Sequence, residues 1–230
     1  MAYTRLIDSV EARILGALME KERTTPDLYP LTVSALLQAC NQKTSRDPIT
    51  DLSETQVVEA LDRLRADALV FRVHSSRSER YEHCLDRRWH LDTAGAAALV
   101  ALLLLRGAQT VAELKARTAR LHPFANTDDV ETALARLSGG EDALARELPR
   151  QPGQRETRWI HLAGTAEVER ELLAGSRNRA GGEEHLGRSE ISTSNPSGGG
   201  AKIEDRLARL ETAVAELTAA MSELRNRLGD

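Results

Sequence analysis

Apolar residues recur at helical spacing in three early segments of the chain, and two short apolar or aromatic runs follow them. In the first segment Val10, Ile14 and Leu18 fall at four-residue steps, which places them on one face of a helix. Ser53 and Gln56 have the spacing of a capping box, which predicts the start of the third helix. The later runs flank a serine-rich turn and predict a hairpin. The predicted helices begin near residues 8, 32 and 53, and the predicted strands cover residues 69–73 and 80–85.

The same order of three helices and a hairpin occurs a second time. Helical patterns over residues 94–105, 110–119 and 127–138 precede strand-like runs over residues 144–148 and 157–162. The segment Arg-Tyr-Glu-His at 80–83 matches Arg-Trp-Ile-His at 158–161 in the same element, which supports a true structural repeat. We therefore predict an α+β, mostly helical fold class, with two tandem winged-helix domains over residues 1–91 and 92–174.

The C-terminal part of the chain has a different character. Residues 175–201 are rich in Gly, Ser, Asn and Arg, and this composition predicts a disordered linker. Over residues 202–230 apolar side chains alternate at four- and three-residue steps, which is typical of a coiled-coil seam. A single amphipathic helix docked on its own protein is the alternative, but the narrow seam favours a homodimer. The self-association residues are Leu207, Leu210, Val214, Leu217, Met221 and Leu224.

Composition and charge narrow the range of partners. Aromatic residues make up only 3% of the chain, so the cores must be mostly Leu, Val and Ala. The net charge is −4, and residues 1–91 hold 13 Lys and Arg against 14 Asp and Glu. A strongly basic, non-specific nucleic-acid binder is therefore excluded. The longest apolar run is too short to span a membrane, and two cysteines without a signal segment favour the cytoplasm.

Three segments resemble one family of bacterial proteins. They are Tyr-Pro-Leu-Thr at 29–32, Ala-Cys-Asn-Gln-Lys at 39–43 with Arg-Asp-Pro at 46–48, and Arg-Trp-Ile-His-Leu at 158–162. Together they resemble the YceH family over about residues 5–165. The resemblance implies two tandem winged-helix domains in a cytoplasmic bacterial protein of unestablished molecular function. The linker and heptad tail lie outside the shared region, and we interpret them as an addition in this relative.

Catalytic and metal chemistry have little support in the sequence. His74, His83, Cys84 and His90 match no standard zinc spacing, and adjacent strand residues such as His83 and Cys84 point to opposite faces. Cys40 falls on an apolar helix face, where a small core residue is expected. No phosphate-binding glycine loop or nucleophile elbow is found in the sequence. We predict a protein that is not an enzyme, with no catalytic or metal residues and no cofactor.

Two binding hypotheses remain. In the first, duplex DNA is the ligand, although the carboxylates on both third helices would repel phosphates. The contacts must then come from the loop after the second helix, whose Asn and Gln could equally be scaffold residues, and from wing arginines. In the second hypothesis the winged-helix surfaces bind another protein as an adaptor. The predicted DNA-binding residues are Asn41, Gln42, Lys43, Arg46, Arg63, Arg72, Arg77 and Arg80.

Overall fold

A computed structural model describes residues 6–74, 78–91, 93–140, 142–150 and 154–183. The predicted self-association residues, the C-terminal helix of residues 202–230 and Arg77 all lie outside these ranges. The described part is mostly helical, with two antiparallel two-stranded sheets, so the predicted α+β class is confirmed.

The first half of the folded region begins with helices whose starts are fixed by side-chain caps. Asp8 and Glu11 cap each other's backbone at the first helix, Thr32 caps the second, and Ser53 and Gln56 form the capping box of the third. A hairpin follows, in which Val70 lies opposite His83. The elements are α1 (Ser9–Thr24), a 3-10 turn (Pro26–Leu28), α2 (Val33–Cys40), α3 (Glu54–Ala66), β1 (Val70–His74) and β2 (Glu79–His83).

The second half repeats this order after a short connecting helix that the sequence did not predict. Thr93, Thr110 and Asn126 cap its three main helices, and Ala145 lies opposite His161 in its hairpin. The elements are α4 (Leu85–Arg88), α5 (Ala94–Arg106), α6 (Val111–Thr118), α7 (Thr127–Leu137), β3 (Ala145–Leu148), β4 (Arg158–His161) and α8 (Ala166–Glu183).

One backbone bridge occurs at the same place in both halves. Leu31 pairs with Tyr81, and Gln109 pairs with Trp159. In each half the first partner directly precedes the threonine that caps the second helix, and the second partner lies in the second strand of the hairpin. The similarity between residues 80–83 and 158–161 therefore corresponds to equivalent positions in two copies of one arrangement.

The two copies share one core. Helices α1 and α5 pack along each other, and every residue from Gly95 to Leu105 is buried. Gly16 marks their closest approach, because a Cβ placed there would lie 2.8 Å from Leu105 Cγ and 3.1 Å from Leu104 Cβ. The segment before α1 is hydrogen-bonded to the segment after β4. Ile7 N–H donates to the Ala163 carbonyl at 2.9 Å, and Thr165 N–H donates to the Ile7 carbonyl at 3.0 Å.

Two predicted boundaries differ from the structure. The predicted second strand includes Leu85, but Leu85 begins α4 and is the buried residue of that helix. The predicted linker began at residue 175, whereas α8 runs on to Glu183. Extending a helix that already exists costs less than starting one, so a helix begun at Ala166 can continue through Gly175. No helix among the described residues is both long and apolar enough to cross a membrane.

Candidate nucleic-acid interface

The loop between α2 and α3 carries four of the predicted DNA-binding residues, and Asn41 holds it together. Its Nδ2 donates to the Leu52 carbonyl at 2.8 Å, and its Oδ1 accepts from Leu52 N–H at 2.8 Å. A second acceptor bond comes from the Thr50 hydroxyl at 3.4 Å. Because both polar atoms of the amide are engaged, Asn41 acts as a scaffold residue in this conformation.

Arg46 lies inside the protein beneath the same loop. Its guanidinium pairs with both carboxylate oxygens of Glu20 in α1, at 3.1 and 2.6 Å, and its side chain is completely buried. It also donates to the carbonyls of Ala39 and Ser45. Arg46 therefore ties the loop to α1 and does not present its charge at the surface. The sequence could not indicate this role, because the partner carboxylate lies 26 residues earlier.

The arginines predicted on α3 and the first hairpin are also paired within the chain. Arg63 bonds Glu11 at 2.9 Å and Asp8 at 2.7 Å, and this contact with Glu11 raises its pKa. Arg72 pairs with Glu79 across the hairpin at 3.0 Å. Arg80 donates to the Pro30 carbonyl at 2.7 Å. These three side chains are therefore occupied in the free protein, while Arg77 lies outside the described residues.

The exposed faces of α3 and α7 carry mainly carboxylates. Along α3, Glu54, Glu59 and Asp62 are exposed, and Asp62 is paired with Arg65 at 2.9 Å. Along α7 the exposed acidic residues cluster in the first two turns, where they face the positive end of the helix dipole. The exposed charged residues of α7 are Asp128, Asp129, Glu131 and Arg136. Neither helix presents the positive surface that phosphate contact requires.

A groove of about 890 Å³ on another face is rich in basic and hydroxyl side chains. Its walls are the end of α1, the loop at residues 42–45, the end of α5 and the end of α6. We call it the basic groove. Its basic residues are Lys21, Arg23, Arg106, Arg117 and Arg120, and its other polar residues are Glu20, Thr24, Thr25, Gln42, Thr44 and Ser45.

The charges in the basic groove differ in how far they are neutralised. Arg23 pairs with Glu22 at 3.1 Å, and Arg117 pairs with Glu113 at 3.1 Å. Arg120 at the groove and exposed Lys43 beside it have no ion pair within the described ranges. Of the predicted residues, only Gln42 lines this groove and Lys43 adjoins it. Sequence reasoning missed the rest, although both α1 and α6 end in basic residues, and this shared feature could have indicated them.

His83, Cys84 and Cys40 of the first half lie in ordinary structural surroundings. His83 Nε2 lies 3.2 Å from a carboxylate oxygen of Glu22, and this hydrogen bond lowers the pKa of Glu22. The Cys84 thiol lies 2.8 Å from the Ala68 carbonyl. Burial raises the pKa of the Cys40 thiol to about 12, so it is not a thiolate nucleophile. In the part of the chain that the structure describes, no three His, Cys, Asp or Glu residues group as metal ligands do.

The architecture and the surfaces together define a helical α+β protein made of two copies of one helix–hairpin arrangement. A family described as a protein of unknown function, DUF480, matches residues 7–154. A UPF0502 protein of Dechloromonas aromatica is 44% identical over 225 residues, which cover 96% of both chains. A UPF0502 protein of Stenotrophomonas maltophilia is 46% identical over 96% of this chain and 94% of its own length. The chain belongs to this DUF480/UPF0502 family of uncharacterised bacterial proteins, which is consistent with the resemblance found in the sequence.

The relatives also correct the interpretation of the C-terminal tail. The alignments to the Dechloromonas and Stenotrophomonas proteins cover 96% of this chain, so they include most of residues 175–230. A UPF0502 protein of Chromobacterium violaceum, 51% identical, aligns over 69% of the chain. The tail is therefore not an addition peculiar to this protein. The resemblance in the sequence could not indicate this, because the residues that carry it all lie before residue 165.

Proposed function

We propose that the protein is a cytoplasmic, non-enzymatic, DNA-associated regulator with tandem winged-helix domains, which contacts duplex DNA through the basic groove and the loop beside it. The observation that carries this proposal is that basic residues from α1, α5 and α6 line one groove, next to exposed Lys43. Lysine and arginine side chains in such a groove can hold phosphates, and the Gln42 amide can bond a base edge.

The same proposal assigns no groove-reading role to the third helices. Carboxylates on the exposed faces of α3 and α7 would lie against phosphates if either helix entered the major groove. The repulsion would be only partly screened at physiological salt, where the Debye length is about 8 Å. The basic groove avoids this cost, since Glu20, its carboxylate, is already paired with Arg46.

Arg46 has a supporting role in this proposal. By joining Glu20 to the Ala39 and Ser45 carbonyls, it fixes the start and end of the loop that carries Gln42 and Lys43. A pre-ordered loop loses less conformational entropy when it binds. We include in the proposal a homodimer through the C-terminal coiled coil, which would present two basic grooves to one duplex.

Salt-dependent binding tests the proposal. Fluorescence anisotropy with a short labelled duplex should show affinity that falls steeply with salt. Replacing both Lys43 and Arg120 by Ala should weaken binding and flatten the logarithmic salt slope by about two, one for each lost phosphate contact.

Arg136→Ala is the matched control for this experiment, because it removes an exposed positive charge from α7. It should change the slope little if the basic groove is the contact surface. If Arg136→Ala flattens the slope and the Lys43/Arg120 pair does not, α7 is the contact surface and this assignment is wrong. If the wild-type protein retains no duplex even at low salt, the DNA proposal fails.

A second candidate function is that of an adaptor that binds a basic protein through α3 and the first hairpin. Val58 on α3 and Phe71 on β1 are 37% and 46% exposed, and both are large apolar side chains. Glu59 and Asp62 are exposed on the same helix as Val58. Glu59→Gln with Asp62→Asn should release such a partner while leaving DNA binding unchanged or tighter. A pull-down and a duplex titration on the same variant separate the two functions.

A further inference from the structure

A second cavity lies between α1, the end of α5 and α8, and it shares Arg106 with the basic groove. Its volume is about 660 Å³, and the loop at residues 47–52 forms one side of it. Residues of α8, among them Val168, Leu172 and Gly175, cover it. We call it the α1–α8 cavity. Its size is in the range of ordinary small-molecule sites.

Arg13 lines the α1–α8 cavity, and one of its side-chain nitrogens is unsatisfied. Its side chain is buried, Nη2 donates to the Pro48 carbonyl at 2.5 Å, and Nη1 has no hydrogen-bond partner among the described residues. Glu20, a neighbouring carboxylate, already holds Arg46 with both oxygens. Burial, followed by the nearby charge of Arg46, lowers the pKa of Arg13 to about 10, so it stays protonated at neutral pH. A buried guanidinium in this setting favours an anion that takes the remaining N–H.

His161 also lines this cavity, and it too has an unsatisfied nitrogen. Its ring is buried, and no described residue bonds its Nδ1. Burial lowers the pKa of His161 to about 4, so the imidazole is neutral at pH 7. A neutral imidazole protonated on Nδ1 is a donor for a ligand oxygen. The cavity therefore combines the buried guanidinium of Arg13 with the neutral imidazole of His161, and Arg106 also lines it.

The rest of the wall determines what kind of anion fits. Val10, Leu52, Leu104, Ala108, Val168 and Leu172 make most of it apolar. The hydration of a phosphate would be lost against such an apolar wall. Exposed Asp47 and Glu171 at the rim would repel a multiply charged ion. A single carboxylate with an apolar body matches all three features.

We propose that the α1–α8 cavity binds a small organic monocarboxylate, with its carboxylate on Arg13 and His161 and its apolar body against α5 and α8. This proposal does not depend on DNA binding. It requires the guanidinium of Arg13, the open volume beside Gly175 and a ligand that carries both a negative charge and an apolar chain.

Calorimetric titration of the full chain tests the requirement for charge and apolar body. Sodium octanoate, below its micellar concentration, should bind with saturation at one site per chain. 1-Octanol keeps the chain but lacks the charge, and it should bind roughly tenfold or more weakly, because the charge-assisted hydrogen bond is lost. Inorganic phosphate should not displace octanoate. The absence of octanoate binding, or equal binding of octanol, overturns the proposal.

Two variants locate the site. Arg13→Met keeps the volume of the side chain and removes its charge, and it should abolish the preference for octanoate over octanol. Gly175→Leu places a side chain in open space, since a Cβ there meets nothing within 4 Å, and it should block both ligands by filling the cavity. Ala174→Leu is the matched control, because Ala174 is exposed on the same helix and does not line the cavity.

Gly175→Leu still tests the proposal if circular dichroism shows that Arg13→Met does not fold. Leucine is a better helix former than glycine, so Gly175→Leu should fold. Octanoate binding that survives Gly175→Leu unchanged, or that Ala174→Leu weakens equally, excludes the α1–α8 cavity as the site. Loss of binding in Gly175→Leu alone supports it.

Discussion

His83 and His161 occupy equivalent positions in the two halves, yet their surroundings differ. His83 lies 3.2 Å from Glu22 through Nε2, and its Nδ1 accepts from Leu85 N–H at 3.3 Å. His161 is buried beside a cavity, and within the described part of the chain its Nδ1 has no partner. The repeated arrangement therefore determines the backbone position of each histidine. The residues packed around each copy determine whether the side chain is hydrogen-bonded within the protein or available to a ligand.

The buried ion pairs differ between the halves in a related way. In the first half Arg46 joins a loop to α1 through Glu20, whose side chain is 10% exposed. In the second half Arg158 joins β4 to α6 through Glu113, at 2.8 Å, and Glu113 is 27% exposed. The first pair therefore stabilises the loop of the proposed DNA surface, and the second stabilises the hairpin.

Removing the arginine of each pair should give the largest effect on stability. Arg46→Ala should lower the free energy of unfolding by about 3–5 kcal/mol, because it leaves the Glu20 carboxylate nearly buried with only the longer contact to Lys21 at 3.7 Å. Arg158→Ala should cost less, since water reaches Glu113 more easily. Urea denaturation measures both values. Arg120→Ala, an exposed control, should change the stability by at most about 0.5 kcal/mol. Equal losses for Arg46 and Arg158 would contradict this ranking.

The next largest effect should be a dependence of the free energy of unfolding on pH, caused by His161. Its pKa is about 4 in the folded protein and 6.5 as the ordinary value, so the unfolded chain binds more protons between these limits. Stability should therefore be full above pH 6.5 and fall by about 3 kcal/mol as the pH drops towards 4. His161→Phe should remove this part of the acid sensitivity in urea denaturation at several pH values. Parallel curves for the two proteins would show that His161 is not the titrating group.

A smaller effect should follow from filling the contact between the halves. Gly16→Ala forces a Cβ to within 2.8 Å of Leu105, and overpacking of this kind costs about 1–3 kcal/mol. The better helix propensity of alanine offsets about 1 kcal/mol, so a net loss of about 1 kcal/mol is expected in urea denaturation. Gly175→Ala, a helical glycine with open space around it, should be neutral or stabilising. A gain in stability for Gly16→Ala would mean that α1 and α5 pack less tightly than described.

Local features account for the parts of the fold that the sequence predicted. Asp8, Thr32 and Ser53 cap the helices that they were expected to start, because capping depends on residues only three positions apart. Hairpin positions followed in the same way from short runs of β-branched or aromatic residues. Helix α4 was missed because four residues are too few to show a helical period.

The candidate sites depended on long-range contacts, so they were only partly predictable. Gln42 and Lys43 were identified from the loop itself, and they lie at the basic groove. Arg46 was assigned to the surface, because nothing near it in the sequence indicates its bond to Glu20. The α1–α8 cavity joins residues as distant as Arg13 and His161, and only the packing of both halves brings them together.

The backbone bonds of Ile7 with Ala163 and Thr165 place the start of the first half beside the end of the second. A permuted chain, with the second half first and a short linker from residue 165 to residue 6 in place of α8 and the tail, would therefore keep the packing of α1 against α5. New ends could fall in the connection between α4 and α5. The folded structure therefore does not require that the first half precede the second along the chain.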